Sequence, residues 1–493
     1  MTEQTSTPQA SAAHARTGTS LPESVSVVNI GLPLFATAIE AQGAPVVSVD
    51  WRVPAGGQAE AVAALSRLCG PHADRIDAAN AEVVRRLDQG VPLLTGVSTL
   101  AQAVPDLPER TLLHCGPAIA YADAPDPLRR SMRAAAVAEG WAASPDEAHA
   151  KLDAGQMRLR PANEYGVVVP MATALEPGAP VYVVENEAGG TKAFAPISQG
   201  SGDVAWFGCD SPAAIERLGF LRDVAAPVIR RVIGLGGPVD VLALTAQAVA
   251  MGDDVHVRTQ AATNLLIRDW VPYLTELGDR PAAAFARFLS SNHLFFLTLA
   301  MAAVRSLTES AAQVPDASIV TTMARNGTTF GIRLAGCPAW FTTEAPEVGN
   351  ALHYSGQGPE TSARDIGDSA VLELSGLGAA TAAGSPAVAQ FLGGSMAAAA
   401  ELTDRLATVC AGRSSRFKIP SLAMAGSPLG VDVRKVVELG LTPAITTGIL
   451  HREAGTGQVG AGVAEAPLAC FTDALIDLDR RVAASVSGGT KTS

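Results

Sequence analysis

The chain has 493 residues, of which 48% are hydrophobic and 17% are charged. Its 36 Lys and Arg residues against 48 Asp and Glu residues give a net charge of −12, which opposes binding to nucleic acids and to anionic membranes. Since one hydrophobic core rarely serves a chain of this length, we expect two to four domains.

The cysteines give no sign of a metal site or a disulfide framework. There are six of them, far apart in the chain and without a CxxC pair. Residues 1–24 have no basic stretch leading into an apolar one, so we predict a disordered tail and no signal peptide. The longest apolar run, 294–304, is too short to span a bilayer. We therefore expect a cytoplasmic protein without a metal or a cofactor.

The first predicted elements form a strand–helix–strand unit. VSVVNIG and APVVSVDW are typical of strands, and LPLFATAIEAQG between them has helical spacing. The short connections predict that the two strands pair in parallel. Helical patterns then cover 59–68 and 74–88.

Strands and a long helical tract follow. APVYVVENEAGGTKAFAPI predicts two paired strands with a turn at 188–190, and residues 211–308 are almost continuously helical. Strand character returns at ASIVTTMARNG and TFGIRLAG. We predict a multidomain α/β (α+β) fold with an inserted all-helical bundle. The predicted segments are 1–24 (tail), 25–108 (Rossmann-like βαβ domain), 109–210 (α/β domain), 211–310 (helical bundle), 311–475 (C-terminal α/β domain with a Gly-rich site loop) and 476–493 (tail).

The segment 442–467, TPAITTGILHREAGTGQVGAGVAEAP, is the strongest functional candidate. It has no apolar periodicity after Leu450, and its backbone N–H groups and polar side chains are suited to holding a small anion. The alternative is a flexible loop between domains. A dinucleotide site is disfavoured because no strand immediately precedes the G-x-G-x-x-G pattern and no amphipathic helix follows it. The candidate residues are His451, Arg452, Glu453, Gly457, Gly460 and Gly462.

A second candidate is MGDDVHVR, in which Asp254, His256 and Arg258 would contact a ligand. The alternative is a capped helix start with Asp–Arg ion pairs. A metal site lacks a third ligand in this stretch.

Three further candidates are less specific. Arg325, Asn326 and Gly327 follow a predicted strand and either bind a ligand at the sheet edge or form an Asn-Gly hairpin turn. Asp368 in DIGDSAVLELSG either acts in the site or caps an element. Glu185 and Asn186 are either ligand-binding residues or turn formers. We expect His114, His149 and His293 to be structural.

Several of these motifs resemble those of the YlbE/AllG-like family. The resemblance runs from about residue 112 to residue 475 and rests on MGDDVHVR, SIVTTMARNGTTFGIRLAG, GDSAVLELSGLG, IPSLAMAGSPLGVDVRKVVELGLTP and ITTGILHREAGTGQVGAGVAEAPLACF. The segment NIGLPLFATAIEAQGAPVVSVDWRVPAGG is similar to a piece of FdrA-like proteins.

The resemblance implies a subunit of a carbamoyltransferase complex. Such an enzyme converts oxalurate and phosphate to oxamate and carbamoyl phosphate in allantoin breakdown, together with an FdrA-like subunit and a second small subunit. The chain departs from the family pattern at 162–165 and at Asp203, where relatives carry a His-rich run and a Lys. Another ureido or amide substrate therefore stays open.

We assign roles to the candidates as a hypothesis. The amides of Gly457–Gly462 and Arg325 would hold phosphate, and His451 would donate to the carbamoyl oxygen. Glu453 or Asp368 would orient the acceptor nitrogen. The alternative is a non-catalytic scaffold or substrate-binding subunit, with the chemistry on the FdrA-like partner.

Overall fold

The computed structural model describes residues 25–49, 53–453 and 455–489. The predicted tail 1–24 lies outside these ranges. Contacts divide the chain into two compact units, residues 1–53 and residues 54–493.

The described part of the first unit is the predicted strand–helix–strand element. Strand β1 (Val27–Ile30), helix α1 (Pro33–Glu40) and strand β2 (Val46–Val49) follow one another, and β1 pairs with β2 in parallel. Pro33 stands in the first turn of α1, where its missing N–H costs no helical hydrogen bond. The prediction of a βαβ unit is confirmed.

The second unit contains the remaining strands and helices. The strands are β3 (Pro92–Thr99), β4 (Thr111–His114), β5 (Arg158–Pro161), β6 (Ala174–Leu175), β7 (Pro180–Asn186), β8 (Thr191–Pro196), β9 (Val239–Asp240), β10 (Val320–Asn326), β11 (Thr329–Leu334), β12 (Phe341–Glu344), β13 (Val348–His353), β14 (Ile366–Gly367), β15 (Cys410–Ile419), β16 (Ala425–Val431), β17 (Ala444–Leu450) and β18 (Gln458–Glu465). The helices are α2 (Ala59–Leu68), α3 (Ala73–Gln89), α4 (Leu100–Ala103), α5 (Asp126–Ala138), α6 (Pro145–Asp153), α7 (Pro212–Phe220), α8 (Ala226–Gly236), α9 (Val241–Ala250), α10 (Gln260–Leu277), α11 (Arg280–Ser291), α12 (Phe295–Ala311), α13 (Pro386–Phe391), α14 (Met396–Val409), α15 (Val433–Leu439) and α16 (Leu468–Gly489).

The strands of the second unit form several small sheets. Their orders are β8-β7-β3-β9, β5-β4-β6, β12-β11-β10-β14, β13-β18-β17 and β15-β16. Among these, β4 and β5 pair in parallel, and the other described pairs are antiparallel. The predicted hairpin of β7 and β8 is confirmed. Together the sheets and helices confirm the predicted α/β (α+β) class.

Local sequence signals set where many helices begin. Ser211 and Ser385 accept a backbone N–H of the first helical turn through their hydroxyls, and each is followed by a proline. Asp279 caps α11 in the same way through its carboxylate, which accepts the N–H of Ala282. These Ser-Pro and Asp-x-Pro signals mark helix starts that periodicity alone places only approximately.

The predicted helical tract is present as α7–α12, and it shares a core with a sheet. The helix α12 is buried along nearly all of its length. Its Phe295 belongs to the same hydrophobic cluster as Leu94 of β3 and Tyr182 of β7. Two further clusters fill the rest of the unit, one beneath β10, β11 and α16 and one around α5, β4 and β6.

Two predicted boundaries differ from the structure. The second compact unit begins at residue 54, whereas we predicted a domain boundary at 108. Strand β3 precedes residue 108 and pairs with β7, which follows it, so both strands belong to the same unit. The predicted tail 476–493 is wrong over its described part, since α16 continues to Gly489. Leu478 and Val482 are buried there, so the apolar periodicity of the helix extends past residue 475, the predicted end of the domain.

Among the described residues, no single helix is both long and apolar enough to cross a bilayer. The pair Arg280–Ser291 and Phe295–Ala311 reaches that length and composition only together, and it is bent by 87°.

The buried carboxyl of Glu176 predicts a dependence of stability on pH. Burial raises its pKa to about 8, and the nearby Glu139 adds to the effect. The unfolded value is about 4.3, so the folded state holds a proton that the unfolded state releases between these pH values. This group's contribution to the free energy of unfolding therefore falls as pH rises from about 4 to about 8.

We expect Glu176→Gln to reduce that fall, because the amide stays neutral at every pH in this range. Urea unfolding at pH 5 and pH 9 measures it, with the variant gaining stability relative to the wild type at the higher pH. An equal difference between variant and wild type at both pH values would contradict the assignment.

Candidate functional site

A cavity of about 410 Å³ lies where the three hydrophobic clusters of the second unit meet. Its apolar lining comes from Leu297 of the first cluster, Phe391 packed against the second, and Met171 and Trp206 of the third. A cavity of this size, apolar with a few polar groups, is typical of a small-molecule site. The polar lining residues are Ser201, His256, His293, Tyr354, Ser369, Thr456 and Gln458.

The turn that carries His256 is fixed by Asp254. The buried carboxylate of Asp254 accepts the backbone N–H groups of Arg258 at 2.8 Å and of Val257 at 3.3 Å. It also accepts the Thr446 hydroxyl of β17 at 3.1 Å. A carboxylate that bonds its own following N–H groups is a common turn device, here tied to a neighbouring sheet.

The imidazole of His256 is oriented by Glu373. Its Nδ1 lies 2.8 Å from Glu373 Oε1, and both side chains are almost completely buried. Glu373 Oε1 also accepts the backbone N–H of Thr446 at 3.1 Å. Because Nδ1 is engaged by the carboxylate, Nε2 is the ring nitrogen available to a ligand in the cavity.

A glycine makes room for this pair. Gly378 has φ +60°, and a Cβ there would lie 2.1 Å from Glu373 Oε1. Its N–H also donates to the carbonyl of Asp254 at 2.8 Å. A side chain at position 378 would therefore displace the carboxylate that holds His256.

Of the polar lining residues named above, only His256 is a candidate from the sequence. His293, which we expected to be structural, lines the cavity, and burial lowers its pKa, which keeps the ring neutral at pH 7. Ser369 lies at the start of the short 3₁₀ helix Ser369–Ser375 and faces the same space. The motif DIGDSAVLELSG indicates this stretch, but the site residue it predicts is Asp368, the neighbour of Ser369.

The Gly-rich segment is only partly a loop. Thr456 and Gln458, which are not among the candidates from the sequence, line the cavity. Gly460 and Gly462 instead lie in β18, the central strand between β13 and β17. A Cβ at Gly460 would lie 2.5 Å from a carbonyl oxygen of β13, so the strands need glycine there for their close approach.

The phosphate-binding role of these glycines is therefore corrected. Their backbone is part of the sheet ladder, where N–H groups are engaged by neighbouring strands. Gly457 has φ +90°, and its carbonyl accepts the N–H of His451 at 2.9 Å. It shapes the turn that carries Thr456 to the cavity.

The triplet at 451–453 lies outside the cavity lining. His451 is half-buried, and its Nδ1 accepts the N–H of Glu453 at 3.0 Å, so the ring stabilises the turn. Arg452 and Glu453 are exposed, and Arg452 donates to the carbonyl of Glu360 at 3.3 Å. The catalytic roles of His451 and Glu453 and the binding role of Arg452 are corrected to roles in a surface turn.

Arg325 is fully buried in an ion pair. Its Nε and Nη2 donate to the two carboxylate oxygens of Asp365 at 2.7 and 2.8 Å, and its Nη1 donates to the carbonyl of Gly367 at 2.7 Å. The guanidinium is enclosed and already neutralised, so the predicted contact with phosphate is wrong.

Asn326 and Gly327 form the predicted hairpin turn between β10 and β11. The Asn326 Oδ1 accepts the N–H groups of Thr328 at 3.0 Å and Thr329 at 2.7 Å. Gly327 supplies φ +83°. The hairpin interpretation is confirmed, and the ligand-binding alternative is corrected.

Asp368 is a structural carboxyl beside the cavity. It accepts the N–H groups of Gly116 at 2.8 Å and Val169 at 3.1 Å, and it is 1% exposed. Burial raises its pKa to about 7. Asp368 thereby ties the segments of Gly116 and Val169 to the start of the helix that carries Ser369. Its predicted catalytic role is therefore corrected to a positioning role.

The remaining candidates do not line the cavity. Arg258 pairs with the buried Asp253 at 3.1 Å, which confirms the expected Asp–Arg pairing. Glu185 pairs with Lys192 at 2.9 Å on the exposed side of the β7–β8 hairpin. The Asn186 side chain accepts the N–H of Val91 at 2.9 Å, and its backbone carbonyl accepts N–H groups of the β7–β8 turn.

Comparison with known proteins gives one consistent result. A family model described as "Oxamate carbamoyltransferase subunit AllG" matches residues 157–369. The Escherichia coli K12 protein of that name is 36% identical over 403 residues, which cover 80% of this chain and 96% of the relative.

Two further relatives have no assigned function. The uncharacterized protein YahG of the same strain is 32% identical over 457 residues, 92% of this chain and 96% of YahG. A crystal structure of a conserved protein of unknown function from Enterococcus faecalis V583 matches with a TM-score of 0.80 and 32% identity. That match covers 82% of this chain and 98% of the other.

The buried ion pair predicts how Arg325 responds to mutation. We expect Arg325→Met and Asp365→Leu each to cost about 3–5 kcal/mol of unfolding free energy, because each leaves one buried charge unpaired. The double variant should cost less than either single one. Urea unfolding of all four proteins gives the coupling. A stable Arg325→Met protein that has lost turnover would instead restore Arg325 as a ligand-binding residue.

Proposed function

The chain belongs to the AllG family, and from this premise we propose that it is a subunit of a carbamoyltransferase complex. In this proposal the His256 cavity binds a small ureido or amide acid of the oxalurate and oxamate type. The observation that carries the proposal is the pairing of His256 with Glu373 at the cavity wall, 2.8 Å apart.

The proposed reaction needs a proton to move between the two reactants. Phosphate oxygen attacks the carbamoyl carbon of oxalurate, and the C–N bond to the oxamate nitrogen then breaks. The proton lost by hydrogen phosphate ends on that nitrogen, so the products are carbamoyl phosphate and oxamate. The tetrahedral carbon between these steps carries negative charge on its oxygen and needs a hydrogen-bond donor nearby.

His256 is placed to move this proton. With Nδ1–H donated to Glu373, the neutral ring presents the lone pair of Nε2 to the cavity and accepts the phosphate proton. The resulting imidazolium is stabilised by the carboxylate and returns the proton to the leaving nitrogen. Glu373 acts as a positioning residue, because it reaches the substrate only through the ring.

The rest of the lining supports substrates of this kind. Ser369, Thr456 and Gln458 offer hydroxyl and amide groups that match the donors and acceptors of an amide acid. The apolar side chains around them, among them Trp206, limit access of water that would hydrolyse carbamoyl phosphate.

The proposal extends to the assembly and the location of the chain. We propose an FdrA-like subunit and a second small subunit as partners, phosphate as the co-substrate, and the cytoplasm as the compartment. The word "subunit" in the name of the relative AllG supports the proposal of a complex.

A second candidate is a substrate-binding subunit whose partner performs the chemistry. The largely apolar and aromatic lining favours it, because such a lining holds a ligand without activating it. The two candidates differ in what His256 contributes: a proton in the first and only affinity in the second.

Substitution of His256 separates these candidates in the reconstituted complex. We expect His256→Asn to lower kcat for oxalurate phosphorolysis by about 10²–10⁴-fold, with a smaller change in KM, because a proton carrier is lost. His451→Asn is the matched control and should leave kcat unchanged. A raised KM with unchanged kcat would support the substrate-binding candidate, and wild-type values for His256→Asn would contradict both.

Loss of the carboxylate should act through the same ring. We expect Glu373→Gln to lower kcat less than His256→Asn does, because the amide still holds the ring but stabilises the imidazolium formed in the reaction less. The double variant should be no worse than His256→Asn alone. Independent, multiplying effects would contradict a positioning role for Glu373.

A further inference from the structure

A second cavity, of about 230 Å³, shares no lining residue with the His256 cavity. It lies where three chain segments end: the last turn of α3, the turn between β7 and β8, and the last turn of α12. We propose that this second cavity binds a small oxyanion, a phosphate or a carboxylate, through Arg85, Arg86 and Asn186.

The two arginines leave one positive charge uncompensated. Arg85 and Arg86 both donate to the carboxylate of Glu82, at 2.7 Å in each case. These two bonds lower the pKa of Glu82 to about 2, so it stays ionised and neutralises only one of the guanidiniums. Within the described ranges, Arg85 Nη1 and Arg86 Nη2 have no hydrogen-bond partner, so both are available to an anion.

Asn186 adds a buried donor that lacks an acceptor. Its Oδ1 accepts the N–H of Val91 at 2.9 Å, which fixes the orientation of the amide. Its Nδ2 is buried and has no hydrogen-bond partner among the described residues, although the side chain faces the second cavity. Buried N–H groups are almost always paired, and an oxygen of a bound anion would pair this one.

The turn between β7 and β8 packs closely against this donor. A Cβ at Gly189 would lie 2.4 Å from Asn186 Nδ2 and 2.8 Å from Ser310 Oγ. Glycine therefore lets the turn lie close to both polar groups, and both residues line the second cavity. The sequence indicates Asn186 as either a ligand-binding residue or a turn former, and the second cavity that it lines is separate from the His256 cavity.

One feature opposes an anion. The C-terminal ends of α3 and α12 both face this region, and helix C-termini favour cations. The carbonyl of Ser310 in α12 is already occupied, since it accepts Arg86 Nη1 at 2.7 Å. The guanidinium groups and Asn186 Nδ2 would donate hydrogen bonds directly to an anion, whereas the termini act only through partial charges that salt screens.

Replacement of the orphaned donor tests the proposal. Asn186→Asp keeps the oxygen that accepts the N–H of Val91 and replaces Nδ2 by a second oxygen. Calorimetric titration of the full chain with inorganic phosphate and, separately, with acetate at low salt should show at least a tenfold weaker Kd for this variant. Arg86→Gln should weaken binding in the same direction. Asn350→Asp, an exposed site with the same change of charge, should bind as the wild type does.

The two titrations identify the ligand class: tighter binding of phosphate assigns the cavity to phosphate, and tighter binding of acetate assigns it to carboxylates. An unchanged Kd in Asn186→Asp would overturn the proposal. So would failure of the wild type to bind either anion, or binding that His256→Asn abolishes and Asn186→Asp leaves intact. The last result would place the anion in the His256 cavity.

Discussion

The carboxylate of Glu373 joins three segments of the chain beside the cavity. It holds the ring of His256, accepts the backbone N–H of Thr446 in β17, and packs against Gly378, where any Cβ would collide with it. Asp254 closes the network by bonding the Thr446 hydroxyl. Because these groups are buried, each hydrogen bond is strong and each loss leaves an unpaired polar group. The orientation of His256 is therefore a property of the fold and does not depend on a mobile loop.

This network lies where three hydrophobic clusters meet, and that position explains the cavity. Each cluster packs within its own set of strands and helices. The space between the three clusters is lined by side chains such as Leu297, Phe391 and Trp206. Glycines in β18 let this strand lie close to β13 in the same sheet. Thr456 and Gln458, near the turn between β17 and β18, line the cavity. The Gly-rich segment thus has two roles: its glycines let β18 pack against β13, and its residues near the turn line the cavity.

Local patterns predicted much of the fold and less of the site. The βαβ unit, the β7–β8 hairpin and the helices α7–α12 follow from periodicity and turn residues, which are local in the sequence. The burial of Arg325 was not visible, because Asp365 lies 40 residues away and only the fold brings the two together. His256 was recognised in its motif, whereas its partner Glu373 lies 117 residues further along. His451 was overvalued because its polar neighbours resemble a site, although they meet only in a surface turn.

A crystal structure of the chain with oxamate bound shows whether the His256 cavity is the substrate site. We expect oxamate in the cavity between Trp206 and Ser369, with a polar atom at hydrogen-bond distance from His256 Nε2 and with the ring still bonded to Glu373. Oxamate bound instead at the turn of His451 and Arg452, with the His256 cavity empty, would contradict it.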